Sequence, residues 1–205
     1  MSKSQVGVWG FLLLGLGLVV VGYFGPWIPH KTAALTVTGS ELSWFAKPFA
    51  QVTRALFVLP LIAAGVILSL TAQRLVTRSL ARIAAVVLGL LVILASMPVY
   101  DSILTPEYRG QLMMMIIGGG LVVLTFFTPW LPHRIWGISI VLLALGGILP
   151  ALWQFAAFHS RVDTLYDDVL GVGWGFVVCV IGFILLLTRG ALAVAAPSLF
   201  AINPR

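Results

Sequence analysis

Charged residues are scarce in this sequence. Only 9% of its 205 residues are Asp, Glu, Lys or Arg, whereas 60% are hydrophobic, and the mean hydropathy is +1.11. Soluble domains carry about 25% charged residues, and a chain of this length cannot hide so much apolar surface from water. The composition therefore excludes a water-soluble fold and predicts an integral membrane protein.

Cysteine is nearly absent as well. Cys179 is the single cysteine, so no disulfide can form within the chain, and a lone cysteine in an apolar run acts as a small hydrophobic residue. The 12 basic residues give a formal net charge of +6, but they are spread singly rather than gathered into a nucleic-acid-binding patch. We expect the chain to contact the lipid bilayer and no nucleic acid.

Motifs for catalysis are also missing. The sequence has no His-Glu-x-x-His, no Walker loop, no Gly-x-Ser-x-Gly and no pair of cysteines, which are signatures of metal, nucleotide and nucleophile sites. No Asp, Glu, Lys or Arg falls in the middle of an apolar run, which argues against a proton- or sodium-coupled carrier. We expect neither an enzymatic activity nor a metal site.

What the sequence does contain is six apolar runs long enough to cross a bilayer, which takes about 20 helical residues. They lack the alternation of barrel strands, so the predicted fold class is all-α, with a polytopic bundle over residues 1–190 and a cytoplasmic interfacial tail at 191–205. No small-x-small cleavage site follows the first run, which is expected to be a retained helix. The predicted spans are residues 6–28, 52–73, 83–100, 111–131, 136–158 and 169–188.

The basic residues predict an orientation. With a cytoplasmic N-terminus, seven of them fall on the cytoplasmic side and five outside, which agrees with the positive-inside rule. All six acids and all four tyrosines then fall outside. Both termini are therefore expected in the cytoplasm, in a multi-pass membrane protein. The seven cytoplasmic basic residues are Lys3, Arg74, Arg78, Arg82, Arg134, Arg189 and Arg205.

One fifteen-residue stretch occurs twice. GLVVVGYFGPWIPHK at 17–31 and GLVVLTFFTPWLPHR at 120–134 share nine identical residues. Each closes an apolar run, and three predicted spans separate the copies, so they would end on opposite membrane faces. Two interpretations are open: a 3+3 inverted repeat of the kind found in transporters, or a local Pro-Trp-x-Pro signal that stops a helix at the interface.

Small residues recur at four-residue spacing in two parts of the chain, a pattern that lets helix backbones approach closely in lipid. It predicts packing within the bundle or docking to another subunit. Three tryptophans near the ends of the runs are expected to anchor at the membrane interface. The small residues are Ala81, Ala85, Gly89, Gly171, Gly175 and Cys179, and the tryptophans are Trp27, Trp130 and Trp136.

Three histidines, His30, His133 and His159, lie at the ends of the runs. Imidazole is an axial ligand of haem, and a chlorophyll-type pigment takes the same ligand, so these are the candidate cofactor-binding residues. The alternative is an interfacial histidine bonded to water or to a carbonyl group. No cofactor is predicted.

Two short motifs, Pro-Trp-Ile-Pro-His at 26–30 and Thr-Pro-Glu-Tyr-Arg-Gly-Gln at 105–111, resemble elements of uncharacterised bacterial multi-helix membrane proteins. This resemblance implies no activity. Uncharged spans, small-residue faces and short loops favour a non-catalytic integral subunit of a larger inner-membrane complex, with other integral subunits as partners. The alternatives are a small transporter or channel built from inverted repeats, and a haem-, quinone- or pigment-binding membrane subunit.

Overall fold

The computed structural model describes residues 3–29, 36–46, 53–74, 80–97, 105–128, 131–166 and 171–196. These ranges are mostly helical, because a helix pairs the polar groups of its own backbone within an apolar run. The helices are α1 Lys3–Phe24, α2 Leu42–Phe45, α3 Leu59–Ala72, α4 Leu80–Leu94, α5 Arg109–Phe127, α6 His133–Tyr166 and α7 Trp174–Ala195, and the strands are β1 Pro26–Ile28 and β2 Val37–Thr38.

Helix α3 is the central element of the bundle. A short 3₁₀ helix, Arg54–Val58, leads into it, and Pro60 lies in its first turn, where the missing N–H costs no helical hydrogen bond. Every residue from Pro60 to Ala72 is buried, and α3 contacts α1, α4, α5 and α6. A helix that is apolar on all sides is expected in such a position.

Two apolar clusters meet at α3. The larger joins α1, α3, α6 and α7 and includes Ile67, Ile140 and Phe183, and the smaller joins α3, α4 and α5 and includes Ile93 and Val122. The core thus extends along the whole of α3 and places the other long helices around it.

The order of contacts along the helices gives their relative directions. Gly15 and Gly22 of α1 meet Gly182 and Gly175 of α7, respectively, so these two helices run antiparallel. By the same reasoning α3 is antiparallel to α4 and α6 and parallel to α5. One end of the bundle therefore holds the ends of α3, α5 and α7 and the starts of α4 and α6.

The predicted all-α fold is confirmed for the described residues, and several of their helices have the length and composition of membrane spans. Among the described residues, four helical segments are long and apolar enough to cross a membrane, and two further apolar helices are shorter. The predicted count of six spans therefore stays a prediction. The four long segments are Arg54–Ala72, Arg109–Phe127, His133–Arg161 and Trp174–Ala195, and the shorter ones are Trp9–Phe24 and Leu80–Leu94.

Helix boundaries differ from the predicted spans at several points. Helix α6 continues to Tyr166, beyond the predicted end at 158, and α7 begins at Trp174 rather than at 169. Because α7 runs on to Ala195, the first residues of the predicted tail are helical, and residues 197–205 lie outside the described residues. The apolar stretch after Arg189 favours continuation of the helix over an irregular tail.

The two copies of the repeated stretch lie at opposite ends of the bundle and differ in local structure. Pro26–Ile28 forms β1, which pairs antiparallel with β2. In the second copy, Leu131 and Pro132 have no regular structure before α6, and residues 129–130 lie outside the described residues. The strand pair was not predicted, since three residues are too few for a periodicity signal, and the inverted repeat stays a prediction.

Large apolar side chains cover the outer faces of the bundle. Leu80, Phe127 and Trp153 are 85%, 75% and 76% exposed, respectively. Water-soluble proteins rarely expose apolar patches of this extent, whereas a surface that faces hydrocarbon needs them.

Candidate functional site: a cationic end of the helix bundle

Polar and basic side chains converge where α3 and α5 end and α6 begins. Trp136 of α6 donates its indole N–H to the carbonyl oxygen of Leu70 in α3 at 3.3 Å. Gln73, directly after α3, donates to the carbonyl oxygen of Thr125 in α5 at 2.9 Å. These bonds tie three helices together at one level of the bundle. We call Gln73, Arg74, Arg82, His133, Trp136 and Arg189 the cationic cluster.

The carbonyl end of α5 receives two of these side chains. Arg82 of α4 donates through Nη2 to the carbonyl oxygen of Phe126 at 3.0 Å, and Gln73 donates to Thr125 and to the hydroxyl of Thr128. The last carbonyl groups of a helix have no partner within the helix and carry partial negative charge. Arg82 and Gln73 therefore act as C-terminal caps that reach α5 from neighbouring segments.

Arg74 fixes the connection between α5 and α6. Its Nη2 donates to the carbonyl oxygen of Leu131 at 2.8 Å, and its Nη1 lies 3.4 Å from Nε2 of His133. The guanidinium carbon is 5.2 Å from the centre of the Trp136 ring, within cation–π range. Partial burial lowers the pKa of the Arg74 guanidinium, but arginine stays charged at neutral pH.

Arg189 of α7 approaches the same tryptophan. Its guanidinium carbon lies 5.1 Å from the centre of the Trp136 ring, and its side chain is 6% exposed. Close packing of α7 on α6 allows this approach, because a Cβ on Gly137 would lie 2.8 Å from the carbonyl oxygen of Gly190. One indole therefore contacts two guanidinium groups, and like charges converge at this end of the bundle.

Acidic residues are remote from this end in the sequence. Residues 42–100, 108–162 and 169–205, which include every member of the cationic cluster, contain no Asp or Glu. Backbone carbonyl groups accept hydrogen bonds from Arg74 and Arg82 but carry no net charge. The positive charge of the cluster is therefore suited to attract an anion.

Sequence reasoning identified only part of this cluster. His133 and Trp136 were expected as a cofactor ligand and an interface anchor, and the structure places both beside Arg74. Arg74, Arg82 and Arg189 entered the predictions only as orienting charges. The signal was present, because all three fall at the ends of apolar runs that the predicted topology directs to one membrane face.

The other two histidines do not join the cluster. His159 lies on the same helix as His133, 26 residues away, which is about 39 Å along the axis, so these two cannot ligate one haem. The ring of His159 is 5.7 Å from that of Phe155, and His30 lies outside the described residues. Within the described part of the chain, no group of three or more His, Cys, Asp or Glu comes together.

The predicted packing residues occupy different environments. Gly175 and Cys179 of α7 are buried against Gly22 of α1, and Gly89 of α4 is buried against Gly65 of α3. The other three are less enclosed. Ala85 is half-buried, and Ala81 and Gly171 are exposed.

Of the predicted tryptophan anchors, Trp27 and Trp136 are buried inside the bundle, and Trp130 lies outside the described residues. Trp27 donates its indole N–H to the carbonyl oxygen of Gly22 at 3.0 Å and packs edge-on against Phe155 and Phe176. Three other tryptophans are exposed at the end opposite the cationic cluster. They are Trp44, Trp153 and Trp174, with exposed fractions of 58%, 76% and 55%.

Comparison with known proteins gives no relative: no family model, no curated protein and no solved structure matches this chain.

Proposed function

We propose that the chain is a non-catalytic integral membrane subunit that packs against helices of other subunits in a larger bacterial inner-membrane complex. The observation that carries this proposal is the surface of α5. Of its 19 residues, only Gln111, Met115, Gly118 and Val122 are buried. Most of the helix therefore faces outward, towards lipid or towards a helix of another subunit.

The middle of α5 is suited to close helix contact. Gly119 and Gly120 have open space where a Cβ would lie, and Ile116 and Leu124, one turn on either side of Gly120, are 66% and 57% exposed. A small residue flanked by large apolar ones lets a second backbone approach closely in lipid. This is the position where we place the partner helix.

Polar groups inside the bundle support a structural role. The hydroxyl of Ser69 in α3 bonds to that of Thr125 in α5, and Gln154 of α6 accepts a hydrogen bond from the backbone N–H of Thr53 at 2.9 Å. Bonds of this kind contribute about 0.6 kcal/mol each in membrane bundles. They hold the helices of this chain to one another, as expected of polar groups with a structural role.

The proposal includes six membrane crossings. Helix α1 has 22 residues, about 33 Å, a length that is compatible with a hydrocarbon core of about 30 Å. Helix α4 has 15 residues, about 22 Å, and hydrogen-bonded turns extend it to Met97. A bilayer accommodates such a short helix by local thinning.

The proposed orientation places the cationic cluster and both termini in the cytoplasm, as the positive-inside rule requires. The exposed Trp44, Trp153 and Trp174 then lie at the outer end of the bundle. Amphipathic indole rings favour the headgroup region of a bilayer, so these three residues replace Trp27 as the proposed outer anchors.

Extraction of the tagged protein from its native membrane in mild detergent tests the proposal. We expect a discrete complex larger than the 22.0 kDa chain, with other membrane proteins in fixed stoichiometry. Gly120→Leu fills the open space on α5 and should reduce recovery of the complex. Gly146→Leu is the matched control, since Gly146 of α6 also has open space beside it.

A wild-type protein that migrates as a monomer or a homodimer after this extraction would contradict the proposal. Equal loss of the complex in both variants would contradict the placement of the partner on α5.

A further inference from the structure

We propose that the cationic cluster binds the phosphate group of an anionic phospholipid, held between Arg74 and Arg189 beside Trp136 and His133. The proposal rests on the membrane insertion argued above but not on the existence of a partner subunit. It assigns the converging arginines a ligand in addition to their contacts within the protein.

Charge is the first argument. Arg74 and Arg189 both lie within 5.2 Å of the centre of one indole ring, and His133 is 3.4 Å from Arg74. Both guanidinium groups carry positive charge and contact the same indole, and a bound anion lowers the electrostatic energy of that arrangement. Guanidinium groups attract phosphate oxygens and donate charge-assisted hydrogen bonds to them.

Position is the second argument. Arg74 is the second residue after α3, His133 is the first residue of α6, and Arg189 lies in the second-to-last turn of α7. The ends of membrane helices lie at the level of the lipid headgroups, where basic pockets between helices bind anionic lipids. Arg74 and Arg189 are buried, with 9% and 6% of their surface exposed, and His133 is half-buried, so a headgroup would approach the two arginines past His133.

The surrounding surface distinguishes a lipid from free phosphate. Phe127, Ile135 and Leu192, each within one helical turn of a cluster residue or of a residue bonded to the cluster, are 75%, 49% and 45% exposed. Acyl chains attached to a bound headgroup would cover such side chains, whereas inorganic phosphate gains nothing from them. We therefore assign the site to a phospholipid.

Native mass spectrometry of the full chain released from nanodiscs tests this assignment. The discs contain phosphatidylcholine alone or phosphatidylcholine with phosphatidylglycerol, and the readout is the ratio of the two lipids retained on the protein. We expect wild type to retain phosphatidylglycerol preferentially. Arg74→Gln and Arg189→Gln should each lower that preference about fivefold, since one arginine near the headgroups contributes about that factor in affinity.

Two variants act as controls. Arg134→Gln removes the same charge from the same end of the bundle, but Arg134 is exposed and adjacent to the cluster rather than within it, so the preference should stay near that of wild type. Arg74→Lys keeps the charge and should retain most of the preference. Circular dichroism checks that each variant is folded.

Three results would overturn the proposal. The first is a wild type without preference for phosphatidylglycerol, which is decisive whether or not a variant folds. The second is an equal loss in Arg134→Gln, which would indicate diffuse surface charge. The third is displacement of the lipid, with equal thermal stabilisation, by inorganic phosphate alone, which would assign the cluster to a free anion.

Discussion

At the level of single residues, glycine sets the distance between α1 and α7. A Cβ on Gly22 would lie 2.7 Å from the Cα of Cys179, whereas Gly17 on the same helix has open space beside it. The contact is between backbones, which cannot move aside as a flexible side chain can. The separation of the two helices therefore depends on the absence of a methyl group at position 22.

The pair Gly22→Ala and Gly17→Ala tests this dependence. Gly22→Ala should destabilise the fold by about 1–3 kcal/mol, the usual cost of overpacking. Gly17→Ala should be neutral or stabilising by up to about 1 kcal/mol, since alanine favours a helix over glycine. Reversible unfolding by sodium dodecyl sulfate in mixed micelles measures both, and equal effects would contradict the close contact of α1 and α7.

The sequence indicated part of this contact. The four-residue spacing of Gly175 and Cys179 marks one face of α7, and both residues are buried. It did not identify Gly22 as the residue they meet, because the choice of neighbouring helix depends on the packing of the whole bundle. For the same reason the sequence did not predict that Arg74 and Arg189 approach Trp136, because these three residues lie in different parts of the chain.

At the level of elements, α5 depends on side chains from other segments for its end. It ends at Phe127, and the carbonyl groups of Thr125 and Phe126 accept hydrogen bonds from Gln73 and Arg82. The carbonyl oxygen of Thr125 also accepts a hydrogen bond from the Thr128 hydroxyl at 3.0 Å, so the loss of Arg82, which leaves the Phe126 carbonyl without this donor, should have the larger effect. The stability of the last turn of α5 should therefore depend on its hydrogen bonds with Gln73 and Arg82.

Arg82→Ala tests the cap directly. It removes the donor to Phe126 and the cation–π contact with the Phe126 ring, whose centre lies 5.4 Å from the guanidinium carbon. We expect faster hydrogen exchange in the last turn of α5 and a loss of about 1–3 kcal/mol of stability. Arg134→Ala, at an exposed position of the same end, should change neither, and unaltered protection of α5 in Arg82→Ala would refute the cap.

The apolar runs predicted that the helices exist, but they did not predict the residues at which the helices end. Helix α6 passes the predicted end at 158 and continues to Tyr166 through His159 and Arg161, since polar residues outside the hydrocarbon core are compatible with a helix. The strand pair β1–β2 depends on tertiary contacts, including the hydrogen bond from Gly173 N–H to the carbonyl oxygen of Trp27 at 2.7 Å. No local sequence pattern predicts such a bond.

At the level of the whole molecule, the alternating directions of the helices determine which side chains meet at each end of the bundle. The cationic cluster and the carbonyl caps of α5 lie at one end, and the exposed Trp44, Trp153 and Trp174 lie at the other. In lipid this division gives each end its own membrane face. The proposed headgroup site and the proposed outer anchors are both consequences of it.

Cysteine labelling measures this division most directly. Single cysteines are placed in a Cys179→Ala background at four exposed positions: Thr36 and Ser160 at the tryptophan end, and Leu80 and Arg134 at the cationic end. Along α6, Arg134 and Ser160 are 26 residues apart, about 39 Å, which is more than the thickness of the hydrocarbon core. The account predicts that a membrane-impermeant maleimide labels positions 36 and 160 in intact spheroplasts and labels positions 80 and 134 only after permeabilisation. Labelling of positions 134 and 160 from the same side would contradict it.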